Sequence, residues 1–165
     1  MPISPTHIIN VNDYLIPFTE LIAKYPILNS FLVSNIPRPK FDLGDEETLR
    51  SLNYYMLKEL TGLDVSVPKG FLIPAVGIHL AYCDIIASRT SSTDPILEIG
   101  TGASAIMSMI LAKRYNKAVI ATEVNPESFE SAKNNITNNN LSHQISLLHS
   151  HGEIIQGLLD DMHFS

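Results

Sequence analysis

Hydrophobic residues in the first half of the chain follow a helical spacing. Between residues 45 and 62 they recur every three or four positions, which predicts a helix with one face in the core. Asp45 can cap the N-terminus of this helix, and Gly62 can cap its C-terminus. The predicted core face consists of Leu49, Leu52, Met56, Leu57 and Leu60.

Shorter segments flank this helix. Asn12 and Asp13 can cap a helix that runs to about Lys24. Prolines and glycines then interrupt the pattern, because proline lacks the amide that a helix needs and disfavours helical angles in the residue before it. The pattern predicts an apolar stretch at 26–33 and an extended proline-containing segment at 35–40. It also predicts a loop at 65–75 and a mostly buried helix at 78–88.

A polar connector, Thr90 to Pro95, leads to a second half with a different pattern. Short hydrophobic runs here alternate with helical segments. Strands joined by helices of this length form right-handed crossovers and a parallel sheet, so this half predicts the beginning of a doubly wound α/β domain. We therefore assign 1–90 to a mainly helical N-terminal module and 91–165 to the first half of the α/β domain. The predicted strands are 96–99, 118–122 and 145–148, and the predicted helices are 104–115 and 126–138.

Composition excludes several classes of protein. The 165 residues are 45% hydrophobic and 17% charged, as expected for one globular domain with a small appendage. No apolar run approaches the roughly 18 residues of a membrane span, and the N-terminus has no basic region followed by an apolar core, so we expect neither a bilayer nor a secretory route. The single cysteine, Cys83, permits neither an intramolecular disulfide nor a thiolate cage, so we expect a cytoplasmic protein. The net charge of −6 argues against coating of nucleic acid by bulk positive charge, but permits a local basic site.

A glycine-rich turn joins the first strand of the second half to its helix. Gly100 and Gly102 permit positive φ and let a ligand approach the backbone, and the helix N-terminus beyond them offers free amides. Glu123 ends the next strand, 23 positions after Gly100, where an acid of this fold accepts hydrogen bonds from ribose hydroxyls. A purely structural turn is the alternative.

Two neighbours of the turn indicate which nucleotide it binds. Ser104 replaces the third glycine of the dinucleotide fingerprint, and Glu98 lies two residues before Gly100. An S-adenosylmethionine site suits this arrangement better than an NAD site. An S-adenosylmethionine site has no pyrophosphate to accommodate, and an acid near the turn can help to hold the methionine ammonium group.

Seven segments, in this order and spacing, resemble the RlmF and methyltransferase-like sixteen family of adenine-N6 RNA methyltransferases, which use S-adenosylmethionine. The resemblance covers about 41–148 and implies the first three strands of a Rossmann-like class I methyltransferase sheet after a helical module. It also implies that 91–165 is the first half of the cofactor-binding domain. The segments are Phe41-Asp42-Leu43, Leu49 to Asn53, Val67 to Gly70, Leu72 to Val76, Leu80-Ala81-Tyr82, Leu97 to Ser104 and Ala121 to Val124.

The resemblance also implies roles for individual residues. The turn would line the methionine and ribose parts of the cofactor, Glu123 would bind the ribose, and the chain around Gly152 to Ile154 would border the adenine. His79 occupies the position of a family arginine that contacts the cofactor carboxylate, so weaker or pH-sensitive binding is a hypothesis. The implied cofactor-binding residues are His79, Glu98, Gly100, Thr101, Gly102, Ser104, Glu123, Gly152 and Ile154.

The family's base-binding motif, Asn-Pro-Pro-Phe, has no counterpart here. No two prolines are adjacent, and the last proline is Pro126. We therefore expect an N-terminal fragment that carries the cofactor half of the site, has no catalytic residue of its own and is inactive alone. The first strand of the α/β half would then have an unpaired edge. Such an edge would favour self-association, or pairing with a chain that supplies the remaining strands.

The expected activity of the whole enzyme is methylation of an adenine N6 in structured RNA, ribosomal or small nuclear. A methyltransferase of the same fold that acts on a protein or small molecule, and a non-catalytic remnant that binds RNA or senses the cofactor, are the alternatives. We predict no metal site, because His149 and His151 lack acidic partners at a diagnostic spacing. The residues that could contact RNA phosphates are Arg38, Lys40, Lys58 and Lys69.

Overall fold

The computed structural model describes residues 14–91 and 93–152. Five α-helices, one 3₁₀ helix and five strands lie in these residues. None of these helices is long and apolar enough to span a membrane. In chain order the elements are α1 (Phe18–Lys24), a 3₁₀ helix (Pro26–Phe31), β1 (Leu32–Ser34), β2 (Lys40–Phe41), α2 (Glu46–Thr61), α3 (Val76–Arg89), β3 (Ile96–Ile99), α4 (Ile106–Tyr115), β4 (Val119–Glu123), α5 (Pro126–Asn138) and β5 (Ile145–His149).

The predicted ends of α2 are confirmed. The side chain of Asp45 accepts a hydrogen bond from the Thr48 amide at 2.8 Å, and Gly62 takes a left-handed conformation at the C-terminus. Helix α1, in contrast, begins at Phe18, after Pro17, rather than near residue 14. Proline at 17 removes a donor and disfavours helical angles in the residue before it, which explains the later start. The proposed caps Asn12 and Asp13 lie outside the described residues.

The second half contains the predicted parallel sheet. Its strand order is β3-β4-β5, with Ile96 opposite Val119 and Val119 opposite Ile145. All five residues of β4, the central strand, are buried. Because parallel strands end at the same edge, this register brings the residues that follow β3, β4 and β5 together.

Two hydrophobic clusters stabilise the described residues. The smaller cluster contains Leu21, Leu28 and Leu52, surrounded by partly buried aromatic side chains of α1, β2 and α2. The larger cluster joins the end of α2 and the buried face of α3 to α4, α5 and the sheet, so it crosses the proposed boundary at residue 90. That boundary therefore stays a prediction.

Lys117 holds the two halves together at the connector. Its side chain is buried, with 5% of the residue exposed. The ammonium donates to the carbonyl oxygens of Thr90 at 3.0 Å and Ser91 at 2.6 Å, just beyond the end of α3. These carbonyls sit at the negative end of the helix dipole, where a cation is favoured.

Candidate cofactor site

The glycine turn lies at the carboxyl end of the sheet, as the sequence predicts. Gly100 and Gly102 have φ of 72° and 68°, and a Cβ placed on either would meet no atom within 4 Å. The space before the turn is therefore open to a ligand. The amides of Gly100 and Thr101 both donate to the carbonyl oxygen of Thr122 at 2.9 Å, which fixes the turn against β4.

Glu123 connects the end of β4 to the turn. One carboxylate oxygen, Oε2, accepts from the Gly102 amide at 2.8 Å. The other, Oε1, accepts from the amides of Val124 and Asn125, each at 2.9 Å. A carboxylate has about four acceptor positions, so one position on Oε2 remains for a further donor such as a ribose hydroxyl.

Glu98 lies beneath the turn and faces α3 and α4. Its Oε2 accepts hydrogen bonds from the hydroxyls of Thr101, at 3.0 Å, and Ser108. Burial raises the pKa of Glu98, and the two hydroxyls partly oppose that shift. Nearby on α3, the burial of Cys83 and then the charge of Glu98 raise the pKa of the Cys83 thiol to about 12.

His79 is close to this carboxylate. The half-buried imidazole contacts its own helix, with Nδ1 2.8 Å from the carbonyl oxygen of Ala75. Its charge is one of the smaller influences that lower the pKa of Glu98 against the larger effect of burial. His79 and Glu98, almost twenty residues apart in the sequence, thus lie near enough for one charge to act on the other.

Ser104 lies at the end of the turn and is buried. The residue is 8% exposed, and its hydroxyl accepts from the amide of Ile106 at 3.3 Å. Helix α4 begins at Ile106, two residues later than predicted, because Ala105 takes a left-handed conformation with φ of 50°. The Ser104 hydroxyl therefore bonds to the first amide of the helix that follows the turn, while Ala105 is its N-cap residue.

The opposite side of the site follows β4 and β5. Val124 is 56% exposed at the end of β4, and the amide of Ser150 donates to the carbonyl oxygen of Glu123 at 2.9 Å. Gly152, with φ of 119°, ends the described residues on this side. Ile154 lies outside the described residues.

The two histidines near this edge contact aromatic and backbone groups. The His149 ring lies 5.0 Å from the Phe129 ring and 4.7 Å from the His151 ring, and its Nε2 is 3.2 Å from the carbonyl oxygen of Val124. Within 14–91 and 93–152, no group of three or more His, Cys, Asp or Glu side chains is arranged to hold a metal ion.

Sequence reasoning missed three polar side chains around the turn. Ser108 contacts Glu98, whereas Ser131 and Asn135 contact the carbonyl oxygen of Ala103 from α5. Ser108 and Asn135 are buried on the helix faces where the pattern otherwise places hydrophobic residues. A polar residue within a buried stripe was the signal that could have identified them.

A family model described as RNA methyltransferase matches residues 4–163. The chain belongs to this family of RNA methyltransferases. This confirms the family resemblance of the seven segments. Among curated relatives, the chain is 33% identical over 150 residues to the U6 small nuclear RNA (adenine-(43)-N(6))-methyltransferase of Caenorhabditis elegans. That match covers 87% of this chain and 31% of the relative.

Solved structures of the family share the fold. The hMettl16 catalytic domain in complex with MAT2A 3'UTR hairpin 1 has a TM-score of 0.84 and 29% identity, over 93% of this chain and 54% of that one. The N-terminal domain of human METTL16 in complex with SAH has a TM-score of 0.82 and 27% identity, over 96% and 64%. The predicted fold, the first strands of a Rossmann-like methyltransferase sheet after a helical module, is therefore confirmed. The chain spans about a third of the curated relative's length.

Proposed function

We propose that this chain supplies the cofactor-binding part of an S-adenosylmethionine-dependent methyltransferase whose acceptor is an adenine N6 in structured RNA. The observation that carries the proposal is the bond from the Gly102 amide to Glu123, which closes the turn against the end of β4. The crystallised relative bound to SAH and the relative bound to an RNA hairpin support the proposal.

The residues around the turn fit this cofactor. The open space before Gly100 and Gly102 admits the methionine and ribose parts, and the remaining acceptor position of Glu123 suits one ribose hydroxyl. Glu98 and His79 offer a carboxylate and an imidazole for the amino-acid end of the ligand. When bound, S-adenosylmethionine supplies an electrophilic methyl group on its sulfonium. The protein's part is to bind and orient it through these groups.

For RNA, the best-placed basic residues are Arg38 and Lys40. They line one cleft of about 510 Å³ together with Phe18 and Phe41, so the cleft combines cations with aromatic rings, the two kinds of group that bind single-stranded nucleic acid. Lys58 is less suitable, because its ammonium lies 3.0 Å from Asp64 Oδ2.

A binding assay tests the role of this cleft. Fluorescence anisotropy of a labelled RNA hairpin should show weaker binding for Arg38→Ala and Lys40→Ala. Lys133→Ala, which removes an exposed charge of the same sign from α5, serves as the matched control. Equal losses for all three variants would indicate only a general charge effect.

The outer edge of β3 supports a proposal about assembly. Within the described residues β3 pairs only with β4, and Ile99 at its end is 51% exposed. Unpaired strand edges attract other strands. We infer that a second copy, or a chain that supplies the remaining strands, covers this edge. Light scattering at micromolar concentration tests the inference, and a monodisperse monomer would count against it.

Calorimetric titration with S-adenosylhomocysteine tests the cofactor proposal. The wild-type chain should bind, and Glu123→Ala should weaken binding, since it removes both the ribose acceptor and the bond that closes the turn. Glu130→Ala is the matched control, because it removes an exposed carboxylate from α5. Absence of binding by the wild-type chain would overturn the proposal.

A further inference from the structure

Residues 63–67 form an extended segment whose side chains alternate between core and surface. Leu63 and Val65 are buried, whereas Asp64 and Ser66 are exposed. This alternation is typical of a strand, yet no neighbouring strand pairs with it within the described residues. Its backbone groups at 64 and 66 bond instead to two side chains, one at the C-cap of α5 and one within it.

Two asparagines, Asn135 in α5 and Asn139 just after it, bond to this segment as a neighbouring strand would. Asn139 accepts from the Asp64 amide at 2.9 Å and donates to the Asp64 carbonyl oxygen at 2.7 Å. Asn135 accepts from the Ser66 amide at 2.9 Å and donates to the Ser66 carbonyl oxygen at 2.8 Å. Four residues of helix rise about 6 Å, and two residues of strand rise about 6.6 Å. The two spacings therefore match.

Asn139 also donates to the carbonyl oxygen of Asn135 at 2.8 Å, whereas Asn135 contacts the glycine turn. The side-chain amide nitrogen of Asn135 also donates to the carbonyl oxygens of Ala103, at 3.1 Å, and Ser104, at 3.4 Å. The residue is only 3% exposed, so these bonds form away from water, and their loss would remove one donor from each of the two carbonyls. Ser131, one turn earlier, donates to the same Ala103 oxygen at 2.9 Å.

We propose that Asn135 is a positioning residue, which fixes the end of the glycine turn to the extended segment of the N-terminal module. The turn must hold Gly102 against Glu123, and Ala103 to Ala105 complete it before α4 begins. A side chain that bonds to both Ser66 and Ala103 makes the geometry of the turn depend on the docking of the module. The expected effect of Asn135 on cofactor binding rests on the proposed function.

The experiment compares Asn135→Ala with Asn139→Ala. Both variants break one pair of bonds to the extended segment, so both should lower the melting temperature. Only Asn135→Ala should weaken binding of S-adenosylhomocysteine, by about tenfold, which corresponds to one or two lost hydrogen bonds. Asn134→Ala, at an exposed neighbouring position, should change neither property. Equal affinities for the Asn135 and Asn139 variants would overturn the proposal.

Amide hydrogen exchange without ligand separates this inference from the proposed function. If the wild-type chain fails to bind S-adenosylhomocysteine, the cofactor proposal is wrong. The positioning role still requires faster exchange at Ala103 to Ala105 in Asn135→Ala than in Asn139→Ala. Equal exchange there would overturn it.

A third variant covers failure to fold. If Asn135→Ala does not fold, Ser131→Ala removes a bond to the same carbonyl without touching residue 66. Faster exchange in the turn, with unchanged exchange at Ser66, would support anchoring of the turn by side chains of α5. Unchanged exchange in the turn would overturn it.

Discussion

Leu28 and Leu80 are both completely buried, but their surroundings differ. Leu28 lies in the smaller cluster, where three leucines meet a ring of partly exposed aromatic side chains. Leu80 lies in the larger cluster, which continues through α4 and α5 to the sheet. Every candidate cofactor residue among the described residues belongs to elements that pack on the larger cluster or to the loops between them. The cleft with Arg38 and Lys40 borders the smaller one.

This difference separates two tasks. The geometry of the candidate cofactor site depends on a core that spans most of the described residues, so a change in that core should reach the site. The surface proposed for RNA depends on a few leucines and aromatic rings, so it can open or shift at a smaller cost. Four substitution experiments test this separation.

The largest effect is expected from truncation in the two clusters. Leu80→Ala should destabilise the whole protein by about 2–5 kcal/mol, because it leaves a cavity in the larger core. Leu28→Ala should loosen α1 and the 3₁₀ helix while the sheet remains protected. Urea unfolding and amide hydrogen exchange measure both effects. Loss of protection in β4 of the Leu28 variant would show that the clusters unfold together.

Helix caps give the next largest effect. Asn125 caps α5 by accepting from the Ser128 amide at 2.9 Å, so Asn125→Ala should cost about 1 kcal/mol by thermal unfolding. Asp45→Ala should act in the same direction on α2. The hydroxyl and then the amide of Thr48 lower the pKa of Asp45. Its contribution should therefore be lost as the pH falls through that lowered pKa, whereas that of Asn125 should not.

The effect of Glu98 should depend on pH. Burial raises its pKa in the folded protein, so the folded state binds the proton more tightly than the unfolded state does. Stability should therefore fall as the pH rises from the unfolded pKa to the folded one. Glu98→Gln should remove this fall and make the protein more stable at neutral pH, while it weakens binding of S-adenosylhomocysteine. If the free energy of unfolding changed with pH in the same way in the wild type and the variant, this account would be contradicted.

The smallest effect is expected from exposed ion pairs. Lys24 lies 2.5 Å from Glu59 in the first half, and Lys133 lies 3.9 Å from Glu130 in the second. Both pairs are solvated, so Lys24→Gln and Lys133→Gln should shift the melting temperature by no more than about 2 °C. Addition of salt should reduce even that shift. A larger decrease in the melting temperature for Lys24→Gln would show that this ion pair stabilises the smaller cluster.

Much of the second half follows from local rules. Proline at the first helical position and an asparagine cluster at the end define α5, whose bounds agree with the prediction. Alternation of short apolar runs with helices was sufficient to predict the parallel sheet. The left-handed Ala105 could not be predicted, because the contacts of the turn with β4 and α5 impose it against the preference of alanine.

The first half shows where such rules fail. Nothing local distinguishes the β1–β2 pair from the surrounding loop, since it consists of a three-residue and a two-residue strand. In the sequence alone, Asn135 and Asn139 indicate only the end of α5. Their second role depends on residues 64 and 66, about seventy positions away. Long-range pairing of this kind carries no signature within either segment.

Lys117 offers a way to observe how the halves separate. Most lysines of the chain have solvated amines, but this one lies under the connector and bonds to the carbonyls of Thr90 and Ser91. A reagent that acylates amines can reach it only after those bonds open. The rate at which Lys117 is labelled therefore reports how often the contact between the module and the sheet opens, and mass spectrometry can measure that rate.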